Sequence, residues 1–278
     1  MKLRLGLSPC PNDTFVFHAL LHGLVDTGGV TFEPVIEDVE SLNERMQRGE
    51  LEVTKASFAA FAHARARYAC LRTGAALGRG NGPLVVARRP MKPFELGDSR
   101  VLLPGALTTA ALLFGGFHPE CDDTPSMRYD EILPALLREE ADAGVVIHEL
   151  RFTYRERGLH LVEDLGERFE GTTGAPIPLG GVFARRDLPP RLASDVERWV
   201  GESLAAARRD PSASREFVRR HAQELDEGVT AAHIALYVND FSADIGDEGA
   251  DALRRLLLLA ERTGRAPHSA EPMFVERG

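Results

Sequence analysis

The chain has 278 residues, which is enough for one large domain or two smaller ones with their own hydrophobic cores. Its formal net charge is −9, so we expect no nucleic-acid partner, because binding to phosphates needs a basic face. A small anionic ligand is compatible with this charge, since a local site can oppose the global field. The three cysteines are scattered in a pattern that fits neither a disulfide framework nor a metal motif, so no metal site is expected.

The N-terminal stretch "MKLRLGLSPCPNDTF" reaches polar turn residues at Ser8, too early for the apolar segment of a signal peptide. The sequence has no apolar run of 18 residues, so no membrane insertion is expected. Scattered cysteines are typical of a reducing compartment, and we therefore expect a cytoplasmic protein. The sequence leaves open whether the protein is a monomer or a homodimer.

The first part of the chain alternates between short strands and helices. Strands are predicted in "KLRLGLS", "VTFEPVIED" and "LEVTKAS", and each is followed by a segment with helical spacing of its apolar residues. Asp38 or Ser41 is the expected cap of the second helix, Gly49 its end, and Ser57 opens the third. This rhythm predicts a parallel sheet with crossover helices.

The glycine-rich stretch "GRGNG" interrupts the rhythm. It is not a phosphate-binding loop, because the GK[ST] ending is missing and a strand follows where a helix would be needed. We interpret it as a turn that enters a long strand, "PLVVARR". A second set of strands and helices is predicted through "GVVIHE", and residues 187–278, including "SASREFVRRHAQE", are predicted to be mostly helical.

Two segments, "GPLVVARRP" and "PLGGVFARRDL", share a valine, an alanine and paired arginines after an apolar run. We interpret them as two strands that cross between two lobes. The predicted fold class is therefore α/β with two lobes. Residues 1–88 plus 185–278 are expected to form a discontinuous first lobe, and residues 89–184 the second.

The segment "GVVIHELRFTY" ends an apolar strand on a histidine, His148. From the pattern alone, the commoner explanation is a core histidine that hydrogen-bonds a nearby carbonyl. The alternative is a base at the carboxyl end of a strand, where open α/β sheets bind their ligands and where an imidazole titrates near neutral pH. Glu149 is expected to be structural or solvent-facing, because adjacent strand residues point to opposite faces.

Three other strand ends carry polar residues that a ligand could use. Helix starts offer free N–H groups that suit a carboxylate, although capping and turn formation explain the same residue types. The Lys55 side chain has a further alternative explanation, simple solvation. The candidate ligand-binding residues are Ser8, Asn12, Asp13, Lys55, Ala56, Ser57, Thr108, Thr109 and Ala110.

Eight segments, in order along nearly the whole chain, resemble the 1,4-dihydroxy-6-naphthoate synthases of menaquinone biosynthesis. These segments are "LSPCPNDTFVFHALLHG", "EDVESLN", "TKASFAA", "ALGRGNGPLVVAR", "YDEILP", "IHELRFTY", "PLGGVFARRDL" and "YVNDFS". The resemblance implies a fold similar to type II periplasmic binding proteins, with a ligand cleft between two lobes and two crossing strands.

The resemblance also implies a reaction. The substrate would be cyclic de-hypoxanthine futalosine, a carboxylated spiro-fused ring with a ribose-derived part, and the product 1,4-dihydroxy-6-naphthoate. His148 matches the position of the family's catalytic base, and Lys55, Ala56 and Ser57 match its substrate contacts. Proton removal followed by carbon–carbon cleavage calls for no metal and no cofactor, so none is expected. Leu150 departs from the family pattern, which has a small polar residue there.

Two alternative functions stay open at this point: a chorismate dehydratase of the same pathway, which resembles this fold, and a solute-binding protein for a small anion. The early turn at Ser8 argues against an exported solute-binding protein. The segments "SPCPNDTF" and "IHELRFTY" favour the synthase over the dehydratase. The roles of Tyr237, Asn239 and Arg79 are left open.

Overall fold

The computed structural model describes residues 1–222 and 226–276. This part of the chain forms two β-sheets flanked by helices. The strands are β1 Lys2–Leu7, β2 Thr31–Ile36, β3 Val53–Ser57, β4 Tyr68–Cys70, β5 Ala76–Gly78, β6 Leu84–Ala87, β7 Val101–Leu102, β8 Ala143–Val146, β9 His160–Asp164 and β10 Ile177–Arg185.

The helices pack on both faces of the sheets and fill most of the C-terminal third. They are α1 Pro11–Leu21, α2 Val39–Arg48, α3 Phe58–Ala64, α4 Thr109–Phe117, α5 Tyr129–Leu137, α6 Leu150–Thr153, α7 Leu165–Thr173, α8 Pro190–Arg209, α9 Arg215–His221, α10 Glu227–Tyr237, α11 Asp240–Ala243 and α12 Gly246–Arg262. Within residues 1–222 and 226–276, no helix is both long and apolar enough to cross a membrane.

The first sheet has the order β2-β1-β3-β10-β4, with β5 also paired to β10. Strands β1, β2 and β3 run parallel, as their intervening helices require, whereas β10 runs antiparallel to β3. The predicted helix ends are confirmed: the Asp38 carboxylate accepts the N–H groups of Glu40 and Ser41, and Gly49 ends α2 with φ 70°.

The second sheet has the order β7-β8-β6-β9 and holds the strand that precedes His148. Strand β7 pairs parallel to β8, and β6 pairs antiparallel to β8 and β9. The prediction of a long strand in "PLVVARR" is wrong, because β6 has only four residues. The nine-residue β10 is the long member of the pair.

The two matched segments lie in different sheets, since β6 belongs to the second and β10 to the first. The chain therefore passes from the first sheet to the second at residues 79–83 and returns at residues 174–176. The lobe limits at residues 88 and 185 stay a prediction, and sheet pairing favours limits nearer these two passages.

The core of the first sheet is aromatic where β10 meets α3. Phe183 on β10 stacks on Phe61 at 4.7 Å and meets Phe58 edge-on at 5.7 Å, and all three rings are fully buried. Full burial of one such side chain stabilises the fold by about 1.5–3 kcal/mol. The C-terminal tail docks beside β4, where Phe274 bridges Cys70, whereas Gln223 and Glu224 of the predicted "SASREFVRRHAQE" helix fall outside the described residues.

Candidate active site

A pocket lies between the two sheets and encloses about 660 Å³, including its open mouth. The structure brings every candidate residue of the sequence analysis to the wall of this pocket. They are Ser8, Asn12, Asp13, Lys55, Ala56, Ser57, Thr108, Thr109, Ala110 and His148.

The topology explains this convergence, because each group of candidates follows a strand. Ser8 comes after β1, Ser57 ends β3, and Thr108 opens α4 a few residues after β7. His148 follows β8 in the same way. In each sheet the carboxyl ends of neighbouring parallel strands share one edge, and such an edge is where open α/β sheets hold ligands. The pocket is lined by residues from both of these edges.

His148 has an unusual backbone conformation, with φ 55° in the left-handed region. Strand β8 ends at Val146, two residues before it, and α6 begins at Leu150. The left-handed residue turns the chain sharply from the strand into the helix and presents the imidazole to the pocket. Such conformations cost a non-glycine residue about 1–2 kcal/mol and cluster at functional sites.

The ring of His148 is poised as a neutral base. Burial lowers the pKa of His148 to about 4, and the charge of nearby Asp13 only partly opposes this effect. Its Nε2 atom is buried without a hydrogen-bond partner in the described part of the chain. The Tyr129 ring meets the imidazole edge-on at 4.9 Å and fixes its plane. An unprotonated ring nitrogen near pH 7 can accept a proton.

Asp13 is the centre of a buried polar network beside this base. One carboxylate oxygen, Oδ2, accepts the N–H of Ser8 at 3.1 Å and its hydroxyl at 2.8 Å. The other, Oδ1, accepts the Asn12 amide at 2.8 Å and lies 3.5 Å from Lys55 Nζ. The Lys55 ammonium group is buried and also donates to the Gly74 carbonyl at 2.6 Å. The alternative explanation of Lys55 as a solvent-exposed side chain is therefore wrong.

A second histidine, His233, extends this network from α10 and was not anticipated from the sequence. Its Nε2 lies 3.0 Å from Asn12 Oδ1, and its ring stacks near His148 with centroids 6.1 Å apart. Burial, and then the neighbouring His148, lower the pKa of His233 to about 3. His233 is therefore neutral at pH 7 and orients Asn12, which in turn holds the Asp13 carboxylate.

The start of α4 combines a cap with free N–H groups. The Thr108 hydroxyl accepts the N–H of Ala111 at 3.1 Å, so that Thr109 and Ala110 contribute the N–H groups that have no acceptor within the helix. The Thr109 hydroxyl is already engaged, because it donates to the Leu179 carbonyl at 2.7 Å. Only the backbone of Thr109 is thus available to a ligand.

Several hydrogen bonds join elements of the first sheet to those of the second around the pocket. Glu40 on α2 accepts the N–H of Leu107 at 2.8 Å, and burial raises the pKa of this carboxyl group. Thr109 accepts the N–H of Ala59 at 3.3 Å, and Arg151 on α6 donates to the Gly82 carbonyl. These contacts hold the two walls of the pocket together.

The structure also corrects or extends other assignments. Glu149 is not solvent-facing: it is buried and accepts the Tyr129 hydroxyl at 3.3 Å. Tyr237 lines the pocket, whereas Asn239 caps α11 and Arg79 lies on the surface beside Glu248. The sequence analysis missed further lining residues, which are Val39, Ala76, Asn81, Gly82, Pro83, Ile147, Leu179 and Gly180.

Comparison with known proteins assigns the chain to a family. The family described as "Menaquinone biosynthesis" matches residues 3–262. A 1,4-dihydroxy-6-naphthoate synthase of Thermus thermophilus is 49% identical over 98% of this chain and 99% of its own length. The enzyme of the same name from Streptomyces coelicolor is 44% identical over 95% of both chains.

Solved structures agree in fold. A structural-genomics protein from Archaeoglobus fulgidus superimposes with a TM-score of 0.89 at 36% identity, over 95% of this chain and 98% of that one. The alkanesulfonate-binding protein of Xanthomonas axonopodis has a TM-score of 0.72 at 12% identity, over 96% of this chain and 94% of that one, which shows the periplasmic-binding-protein fold alone. The family match and the two near full-length relatives together show that the chain belongs to the 1,4-dihydroxy-6-naphthoate synthase family of menaquinone biosynthesis.

Proposed function

We propose that this protein converts cyclic de-hypoxanthine futalosine into 1,4-dihydroxy-6-naphthoate, with His148 as the general base. The observation that carries the proposal is the state of His148: a neutral imidazole of a residue that lines the pocket, held on a left-handed turn, with one buried ring nitrogen, Nε2, that has no hydrogen-bond partner in the described part of the chain. The ring is therefore unprotonated and able to accept a proton at neutral pH, and its lowered pKa makes it a weaker base than a solvated histidine, so the proposal relies on close positioning of the substrate as well.

The reaction needs one proton transfer and the cleavage of one carbon–carbon bond. In this scheme a ring nitrogen of His148 takes a hydroxyl proton from the sugar-derived fragment, and the O–H electron pair forms a carbonyl bond as the adjacent carbon–carbon bond to the ring system breaks. The electron pair of that carbon–carbon bond completes the aromatic ring, and the protonated His148 returns its proton to a ring oxygen, which becomes a hydroxyl of the product. Aromatisation supplies driving force, so positioning and one base are sufficient.

The Asp13 carboxylate and its hydrogen-bond partners stabilise the protonated form of His148 that arises during the reaction. When His148 takes up a proton, an imidazolium forms in a buried environment that opposes charge. The Asp13 carboxylate favours that charge, as its effect on the pKa of His148 indicates. Ser8 and Asn12 keep the carboxylate in place through their hydrogen bonds to it. We therefore assign Asp13 an electrostatic role and Lys55 the role of a buried counter-charge.

The substrate carboxylate is assigned to the start of α4. Backbone N–H groups of Thr109 and Ala110 carry the positive end of the helix dipole, which favours an anion. Ser57 faces the same pocket at the end of β3, and its hydroxyl accepts the Asn43 amide at 3.2 Å, which leaves its hydrogen free to donate. These groups would orient the ring system toward His148.

The test is incubation of the purified protein with cyclic de-hypoxanthine futalosine and detection of the naphthoate by mass spectrometry. We expect turnover by the native protein, and a decrease of about 10²–10⁴-fold in His148→Asn, because the amide keeps polarity but cannot accept the proton. The matched control is His268→Asn, since that side chain is 80% exposed and lies outside the pocket.

Near-normal turnover in a folded His148→Asn protein would eliminate this residue as the base. The same variant could instead melt at a much lower temperature while each folded molecule keeps native activity. That result would identify the imidazole as a structural part of the core. A native protein that binds the substrate but releases no naphthoate would contradict the proposed reaction as a whole.

A further inference from the structure

Asn81 is a buried amide that the family assignment and the proposed reaction leave without a role. It lies between β5 and β6, in the passage from the first sheet to the second, and lines the pocket. The residue is 1% exposed, and neither its Nδ2 nor its Oδ1 has a hydrogen-bond partner in the described part of the chain. Buried polar side chains in native proteins are almost always hydrogen-bonded, so this pair of atoms requires an explanation.

Turn formation does not explain an asparagine at this position. Asparagine is common in turns because it tolerates positive φ and because its side chain hydrogen-bonds nearby backbone. Asn81 is not among the residues with positive φ, and its amide makes no such bond in the described structure.

The amide is held on a firm support. Its Nδ2 packs against Gly78, where an added Cβ would approach within 2.7 Å. The next residue, Gly82, is packed against Gly166 so closely that a Cβ would lie 2.4 Å from its Cα. Arg151 also donates to the Gly82 carbonyl. Gly82 therefore fixes the backbone beside the amide, and Gly78 fixes the amide itself.

The register of β10 places Asn81 away from the start of α4. Gly78, beside the amide, pairs with Ile177, whereas the start of α4 meets β10 at Leu179, whose carbonyl accepts the Thr109 hydroxyl. Two residues along a strand correspond to about 7 Å. The two ends of the pocket are therefore separated by about the length of a fused ring system.

The two free atoms of the amide indicate what it binds. A carboxylate could accept from Nδ2 but would leave Oδ1 facing negative charge, whereas a hydroxyl both donates and accepts. We propose that Asn81 is a substrate-binding residue that hydrogen-bonds a hydroxyl of the sugar-derived part, opposite the carboxylate. This inference rests on the proposed function, which supplies the substrate.

The product offers a direct test, because 1,4-dihydroxy-6-naphthoate lacks the sugar-derived part. We would measure kcat and KM for the substrate, the inhibition constant of the product, and the melting temperature for Asn81→Leu and Asn81→Ala. The matched control is Arg79→Gln, in the same passage but with its side chain half exposed on the surface. Native turnover tests the proposed function, and the ratio of variant to native values tests Asn81.

We expect KM for the substrate to rise about tenfold to a hundredfold in both variants, since a buried substrate hydroxyl loses its partners. The inhibition constant of the product should stay within about twofold of the native value, because the lost contact is not part of the product. Asn81→Leu should melt no lower than the native protein, because it removes unpartnered polar atoms at similar volume. An unchanged KM, or equal weakening of substrate and product, would overturn the inference while leaving the reaction in place.

Discussion

The burial of His148 predicts how the reaction depends on pH. The pKa of this imidazole falls from an ordinary value of 6.5 to about 4. At 1.36 kcal/mol for each pH unit, the difference corresponds to about 3 kcal/mol in favour of the neutral ring. Only the neutral ring can accept a proton, so kcat/KM should stay constant from neutral pH down to about pH 5. Below about pH 4 it should fall tenfold for each further unit.

The same group also links stability to pH in a defined direction. Because the folded-state pKa is depressed, the contribution of His148 to stability is fully present above its unfolded value of 6.5. That contribution is lost as the pH falls from 6.5 toward about 4. His233, with a pKa of about 3, acts in the same sense over a slightly wider range.

The assay must therefore separate loss of the base from loss of the fold. Initial rates between pH 3.5 and 8 would be measured together with fluorescence of Trp199, the one tryptophan of the sequence, which is buried on α8. Rates would be corrected for the folded fraction at each pH. A half-maximal point of kcat/KM near pH 6.5 in folded protein would refute the reasoning, because it would mean that the ring is as well solvated as an exposed histidine.

Two substitutions test the contacts around the pocket. Thr109→Val should lower the free energy of unfolding, measured by urea denaturation, by about 1–3 kcal/mol, because the Leu179 carbonyl and the Ala59 N–H lose a buried partner. Thr109→Ser should restore that free energy, and equal stability of the two variants would contradict this account. Gly82→Ala should lower both the melting temperature and kcat/KM, because its Cβ would lie 2.4 Å from Gly166 Cα; native values for both would show that the two backbones can separate freely.

Local sequence patterns were sufficient to predict the alternation of strands and helices and the position of the pocket. Alternating strand and helix patterns indicated parallel strands, and the capping residue Asp38 and the left-handed Gly49 marked the ends of α2. Because polar residues after parallel strands collect at the edge of a sheet, Ser8 and Ser57 could be placed at the edge of the first sheet and His148 at the edge of the second before any contact was known.

Long-range packing determined what the sequence did not reveal. Lys55 looks like a surface lysine until Asp13 and Gly74 are seen around its ammonium group. His233 follows no strand, and only the packing of α10 against α1 brings it to Asn12. Asn81 stands in a glycine-rich turn, where its residue type is common for another reason. His233 and Asn81 carry no local signal that differs from an ordinary surface or turn residue, and Lys55 was a candidate because it stands at a strand end and matches the family pattern, not because its sequence neighbours show a buried ammonium group.

At residue 148 the left-handed backbone conformation favours glycine for stability, whereas the proposed reaction requires the imidazole of histidine. A backbone with φ 55° is most comfortable with glycine, so replacing the histidine by glycine would relieve local strain at the expense of the imidazole. With His148 as the proposed base, a library of variants sorted only for thermal resistance would therefore enrich inactive molecules at this site. On the same proposal, selection for the product would retain histidine at residue 148 against this local strain, so the residue at this position would indicate retained function in other sequences with the same architecture.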